Sequence, residues 1–275
     1  MSDHILVSRD GGVGTITINR RERFNSLDVA TAQDFRKAGL QLARDESVRC
    51  VVIAGAGGVF CSGADLKYIR DKGSATDFEY LHPEGAGPGQ TYGESFKQIL
   101  EYLHSTISEI KRAPKPFIAA VDGMAAAGGF GIAMACDLVL ASERATFEWA
   151  YHKTGLTGAE SSTFFLPRLV GLRKALELVL LNPRLTARDA LQHGLINRVF
   201  PDDSFERDAM GIVRQLAAGP TEAYGIAKRL VQQAAGVDQL DYHLDEELQN
   251  LARIADGKEF AEGLKAFFEK RPAVF

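Results

Sequence analysis

The period of the apolar positions changes twice in the first 55 residues. From Leu6 to Asn19 they form two short runs around Asp10-Gly11-Gly12. The second alternates as Gly14-Thr15-Ile16-Thr17-Ile18, which predicts a β-hairpin. Asp28 then opens a segment with helical spacing through Phe35, Leu40 and Leu42, and Val48 to Ile53 is a β-branched run suited to a buried strand. Further on, Phe96, Ile99, Leu100, Leu103, Ile107 and Ile110 mark one helical stripe. Pro114 and Pro116 end it before an apolar strand, Phe117 to Val121. Strand and helix alternate as far as Val199, and from Phe205 only helical patterns remain. The pattern predicts an α/β core over residues 1–200 and an all-helical C-terminal region over 201–275. Within the core stretch, Asp71 to Glu94 holds Gly73, Gly85, Gly87, Pro88, Gly89 and Gly93 with few aliphatic residues, which predicts a mobile loop.

Composition narrows the class. The chain has 275 residues, 45% of them hydrophobic, enough for one substantial core. Lys and Arg total 32 against 36 Asp and Glu, a net charge of -4, and no long basic run occurs; nucleic acid is therefore not an expected partner. No stretch approaches the ~20 apolar residues that span a bilayer, and MSDHILVSRDGG lacks the pattern of a signal peptide. Cys50, Cys61 and Cys136 are too few and too far apart for a disulfide framework or a metal knuckle. A reduced, cytoplasmic, metal-free protein that contacts no membrane is expected.

Two glycine-containing turns each join a buried strand to a helix: Phe60-Cys61-Ser62-Gly63-Ala64-Asp65-Leu66, and Asp122 through Gly128-Gly129-Phe130-Gly131. Small side chains there let backbone N–H groups approach a ligand oxygen, and the second turn aims a helix N-terminus at it. Glycine for tight strand–helix packing is the competing reading of each turn taken singly. The two segments FCSGADL and KPFIAAVDGMAAAGGFGIAMACDL, with Asn19 to Leu27 upstream and Phe267-Phe268-Glu269-Lys270-Arg271-Pro272 at the end, resemble the enoyl-CoA hydratase/isomerase (crotonase) family in order over nearly the whole chain.

That resemblance implies a spiral of ββα units, with the C-terminal helices joining copies of the chain into a homotrimer or homohexamer. It implies an acyl-CoA thioester substrate and no cofactor beyond the coenzyme A that the substrate carries. The oxyanion-hole N–H groups map onto Ala64 and Gly128. Coenzyme A contacts map onto Arg23, Phe24 and Ser26, onto Ser62, Ala64, Asp65 and Leu66, and onto Phe267 and Lys270 reaching over from a neighbouring subunit.

The chain departs from the hydratase pattern at both working glutamates, whose positions fall on Gly131 and Tyr151. The acid position of isomerase-like members falls on Ala159, one residue before Glu160. Glu160 is open to two readings: a proton carrier displaced by one residue, or the last member of a Thr157-x-x-Glu160 helix capping box. The 4-chlorobenzoyl-CoA dehalogenase branch resembles this chain locally and carries a working histidine at the position of His104, though its aspartate nucleophile falls on Ala159. His104 is thus a polar active-site candidate or a half-buried helix histidine. Tyr151 is a phenolic donor, a ring-stacking aromatic or a packing residue; His152 should point away from it. The leading expectation is an enoyl-CoA hydratase/isomerase-like enzyme, isomerisation fitting a single base better than hydration. The alternatives are hydrolysis or dehalogenation of a cyclic or aromatic acyl-CoA through His104 and Tyr151, and a non-catalytic acyl-CoA-binding or RNA-binding relative.

Overall fold

The computed structural model describes residues 3–71, 73 and 91–275; most of the expected Asp71 to Glu94 loop lies outside them. In chain order the elements are β1 (Ile5–Asp10), β2 (Val13–Ile18), α1 (Val29–Arg44), β3 (Cys50–Gly55), β4 (Val59–Cys61), α2 (Leu66–Arg70) and α3 (Tyr92–Arg112). There follow β5 (Phe117–Val121), β6 (Met124–Ala126), α4 (Gly128–Ala135), β7 (Leu138–Ser142), β8 (Thr146–Glu148), α5 (Ser162–Val170) and α6 (Leu172–Leu181). The chain closes with β9 (Leu185–Thr186), α7 (Ala187–Gln192), β10 (Arg198–Phe200), α8 (Phe205–Ala218), α9 (Thr221–Ala234), α10 (Leu240–Ala255) and α11 (Lys258–Glu269).

One sheet runs β1-β2-β3-β5-β7-β10, antiparallel only at the opening hairpin; a smaller one runs β4-β6-β8-β9. From β3 to β8 each pass of the chain leaves one strand in the first sheet and the next in the second, the spiral of ββα units that the resemblance implied. Burial on both faces explains why β3 and β5 read as continuous apolar runs.

The main core lies between the first sheet and α1, α3 and α4, with Phe35, Leu42, Ile53, Ile107 and Phe130 buried. Phe205, Ala209 and Val213 of α8 cover the sheet's opposite face against Val52, Ile118 and Leu140. Helix α10 lies along α3, and α11 packs on the 3-10 turn Tyr151–Thr154. Helix α3 begins at Tyr92, inside the expected loop, because Thr91 and Glu94 form a capping box that satisfies its first N–H groups.

Candidate active site

The FCSGADL turn leaves β4 and enters α2. Leu27 bridges it in parallel register: the Leu27 N–H donates to the Gly63 carbonyl at 2.8 Å, and the Asp65 N–H donates to the Leu27 carbonyl at 2.8 Å. Since successive backbone groups of an extended segment point opposite ways, this pairing turns the intervening Ala64 N–H away from Leu27. Gly63 is required twice over. Its φ is +91°, and a Cβ there would lie 2.8 Å from the Ala127 Cβ and 2.9 Å from the Gly128 nitrogen. The two turns therefore meet, and the N–H groups of Ala64 and Gly128 have no acceptor among the described residues.

Gly128 opens α4, so its N–H belongs to the unsatisfied first turn of a wholly buried helix. Ala127 before it is held at φ +46°, its N–H donating to the Glu148 carbonyl at 3.1 Å. Positive φ outside glycine recurs around the same cavity at Phe24, Ala150 and Glu160, the clustering of strained backbone expected at a working site.

The cavity holds about 490 Å³. Arg23, Phe24 and Ser26 line one side, with Ser62, Ala64, Asp65, Leu66 and Lys67 beside them. Phe96, Tyr151, Leu156, Glu160, Leu251, Phe267 and Phe268 line other parts of its wall. Asp65 organises the first side. It accepts from the N–H groups of Lys67 and Tyr68 at 3.0 and 3.1 Å, capping α2, and pairs with both Arg23 and the buried Arg20. Burial works to raise the Asp65 pKa, but Arg23 and the capping N–H groups outweigh it, so the carboxyl sits below its usual range.

Glu160 reaches the cavity from the segment before α5. A Cβ on Gly128 would lie 2.9 Å from its Oε1, and a Cβ on Gly131 would lie 2.5 Å from its carbonyl oxygen and 2.7 Å from its Cβ. Glu160 thus occupies the space that a side chain at Gly131 would need. Its carboxylate accepts the Tyr151 hydroxyl. Burial, with the Glu247 charge adding to it, pushes its pKa up to about 8 against that hydrogen bond. Burial also raises the Tyr151 phenol well above its ordinary value, keeping it a donor.

The capping reading of Glu160 does not hold. Helix α5 starts at Ser162 with Ser161 as N-cap, so Glu160 precedes the helix, and the Thr157 hydroxyl has no partner among the described residues. The first turn of α5 is instead satisfied from a distance by Glu247 of α10, which accepts from the N–H groups of Ser161 and Thr163 at 2.8 and 3.0 Å. No local sequence signal announces a cap 86 residues away.

His104 is brought to Glu160 but not to the cavity. Its Nε2 accepts the Glu160 N–H at 3.2 Å, and it is absent from the cavity wall. Burial pushes its pKa down to about 3, the Leu244 carbonyl opposing, so the ring stays neutral. A catalytic His104 is corrected to a residue that holds Glu160, because helix α3 buries the ring behind it. His152 does point elsewhere, its Nδ1 lying 3.0 Å from the Val179 carbonyl oxygen. Lys270 ends α11 in left-handed conformation and lines a separate surface pocket of its own chain. Phe267 lines the cavity of its own chain. Among the described residues no cluster of His, Cys, Asp and Glu is placed to hold a metal, and no helix is long and apolar enough to cross a membrane.

The family model described as enoyl-CoA hydratase/isomerase matches residues 8–275. The chain belongs to that family. Among its relatives, 4-chlorobenzoyl coenzyme A dehalogenase-2 of an Arthrobacter species is 34% identical, the match covering 97% of this chain and 91% of that protein. The 1,2-epoxyphenylacetyl-CoA isomerase of Escherichia coli K12 is 32% identical over 100% of this chain and 99% of that one. The crystal structure of an enoyl-CoA hydratase from Mycobacterium avium subsp. paratuberculosis K-10 superposes with a TM-score of 0.85 at 31% identity, covering 99% and 98% of the two chains. The protein is thus a crotonase-fold enzyme of acyl-CoA thioesters.

Proposed function

We propose that the enzyme isomerises an unsaturated acyl-CoA through a thioester enolate, with Glu160 carrying the proton. One observation carries the reading: Glu160 is the carboxyl of the cavity wall that is buried without a cationic partner, and it adjoins Gly128. The other buried carboxyls of the wall are committed, Asp65 to Arg20 and Arg23, and Glu148 to Lys153 and Arg184. The thioester oxygen accepts from the N–H groups of Ala64 and Gly128, which favours the enolate over the ketone form. Ionised Glu160 takes a proton from Cα of a 3-enoyl thioester, and the same carboxyl, which exchanges its proton with solvent, delivers one to Cγ, leaving the 2-enoyl isomer. Tyr151 fixes the carboxyl. A pKa near 8 makes a group able to accept and release a proton near neutrality.

With Gly131 and Tyr151 at the two hydratase positions, no second carboxylate is supplied there to activate water. The aromatic and aliphatic wall supports an apolar acyl group. Ala159, at the dehalogenase nucleophile position, is fully buried and offers only its carbonyl, which accepts from Tyr151 at 3.2 Å. Coenzyme A is assigned to the side formed by Arg23, Phe24, Ser26 and the Ser62 to Lys67 turn. The exposed stripe Leu172, Leu176 and Leu180 on α6 supports self-association of the chain, as in the trimers the resemblance implies.

The test is incubation of 2-enoyl, 3-enoyl, cyclic and halobenzoyl-CoA esters in heavy water, followed by mass spectrometry. Interconversion of the enoyl isomers with deuterium gain is expected, and Glu160→Gln should lower it by ~1,000-fold. Full activity in that variant, or halide loss or thioester cleavage instead of isomerisation, would refute the proposal.

A further inference from the structure

Glu160 and Ser161 are consecutive non-glycine residues with φ of +49° and +63°. Such a pair persists only where its surroundings over-determine it. Three side-chain anchors converge on it from elements distant in sequence. From α10, Glu247 takes the N–H groups of Ser161 and Thr163 and the Thr163 hydroxyl. From α3, His104 takes the Glu160 N–H, and its Nε2 lies 3.8 Å from Glu247 Oε2. From the 3-10 turn, Tyr151 takes hold of the carboxyl itself. Glu247 is 5% exposed and His104 7%, and neither lines the cavity. A carboxylate buried away from the reacting atoms is expensive to keep unless it performs some task.

We infer that Glu247 and His104 are positioning residues: together they clamp Glu160 and Ser161 in the left-handed conformation that points the Glu160 carboxyl at Gly128. The inference rests on Glu160 being the proton carrier. Without the clamp, relaxation of the pair toward ordinary φ would swing the carboxyl off the Gly128 turn.

Glu247 acts a second way, through its charge. The titratable groups set around the Glu160 carboxyl are the Tyr151 phenol, the Cys61 thiol of β4, neutral His104 of α3, and Glu247 of α10, whose own neighbour is His243 at 3.7 Å. Burial chiefly keeps the Glu160 proton on, and Glu247, the other carboxyl of that set, adds to it whenever it is ionised.

Glu247→Gln keeps the size and one acceptor but removes the charge and the second anchoring oxygen. It should lower kcat on the order of 100-fold with KM little changed, the scale of a reacting group displaced by ~1 Å. The acid limb of the kcat–pH profile should move down, since the Glu247 charge raises the Glu160 pKa. A 13C-glutamate NMR titration should show the Glu160 carboxyl ionising correspondingly lower, with no turnover needed. Should this variant fail to fold, His104→Ala and His104→Gln replace it: loss of kcat in the first and its recovery in the second, where the amide oxygen can again accept the Glu160 N–H, is the expected pair. Lowered stability with an unchanged pH limb and an unchanged Glu160 titration overturns the inference, as does full kcat in His104→Ala. Failure of the underlying reading looks different: it would appear as full activity in Glu160→Gln.

Discussion

Replacing Glu160 by Gln should stabilise the fold at alkaline pH while abolishing turnover. In the folded chain the Glu160 carboxyl is pushed up to about 8, chiefly by burial, against an ordinary value of 4.5. Below 4.5 the group is protonated whether the chain is folded or not, and it contributes nothing to pH dependence. Between 4.5 and about 8 the folded chain binds the proton that the unfolded chain has lost, so stability falls as pH rises. At about 1.4 kcal/mol per unit the penalty reaches on the order of 5 kcal/mol once the folded group is ionised. Glutamine has no such titration, and its amide oxygen can still accept the Tyr151 hydroxyl. The measurement is urea unfolding of both proteins at pH 5, 6.5 and 8.5, at one protein concentration, so that any self-association is held constant. The advantage of the variant should grow steadily across the series. Two stability curves that run parallel in pH would refute the argument, for they would mean that Glu160 ionises alike in the folded and unfolded chains.

Tyr151→Phe removes the hydrogen bond that favours ionised Glu160, so the acid limb of the kcat–pH profile should move up, opposite to the shift expected for Glu247→Gln; a limb that stays in place contradicts the assigned pairing. Asp65→Ala leaves Arg20 without one buried partner, frees Arg23 and uncaps α2, and should cost about 3–5 kcal/mol in chemical denaturation while raising KM for the thioester more than it lowers kcat. Leu176→Asp puts a charge in the middle of the α6 stripe and should reduce the sedimenting mass to that of one chain; an unchanged mass would show that the stripe is not the contact.

Much of the architecture was legible because it follows from local rules. The opening hairpin is written in alternation around Asp10-Gly11-Gly12, and β3 and β5 are apolar runs because both their faces are covered. The glycine turns announced themselves because a side chain has no room there: a Cβ at Gly63 would lie 2.9 Å from the Gly128 nitrogen. Ser62, Ala64, Asp65 and Leu66 line the cavity because they belong to the first turn, and Arg23, Phe24 and Ser26 because they precede Leu27, which pairs with it.

The roles of the polar residues were decided elsewhere. Thr157-x-x-Glu160 carries the letters of a capping box, but a motif fixes only spacing, and the start of a helix depends on which acceptor reaches its N–H groups. That acceptor, Glu247, arrives from α10 across 86 residues. Once Glu247 caps α5, Glu160 is released from the helix and turned by left-handed backbone toward Gly128. His104 changed meaning for the same reason: its place on the α3 stripe was readable, but only the packing of α10 and the Glu160 segment around it decided that its Nε2 would hold a backbone N–H rather than face the cavity. Sequence alone determined the strands, the helices and the glycine turns, because periodicity and turn chemistry are properties of residues near one another along the chain. Tertiary structure decided which carboxyl enters the pocket and how tightly it keeps its proton, because burial and distant hydrogen bonds exist only once the elements have packed.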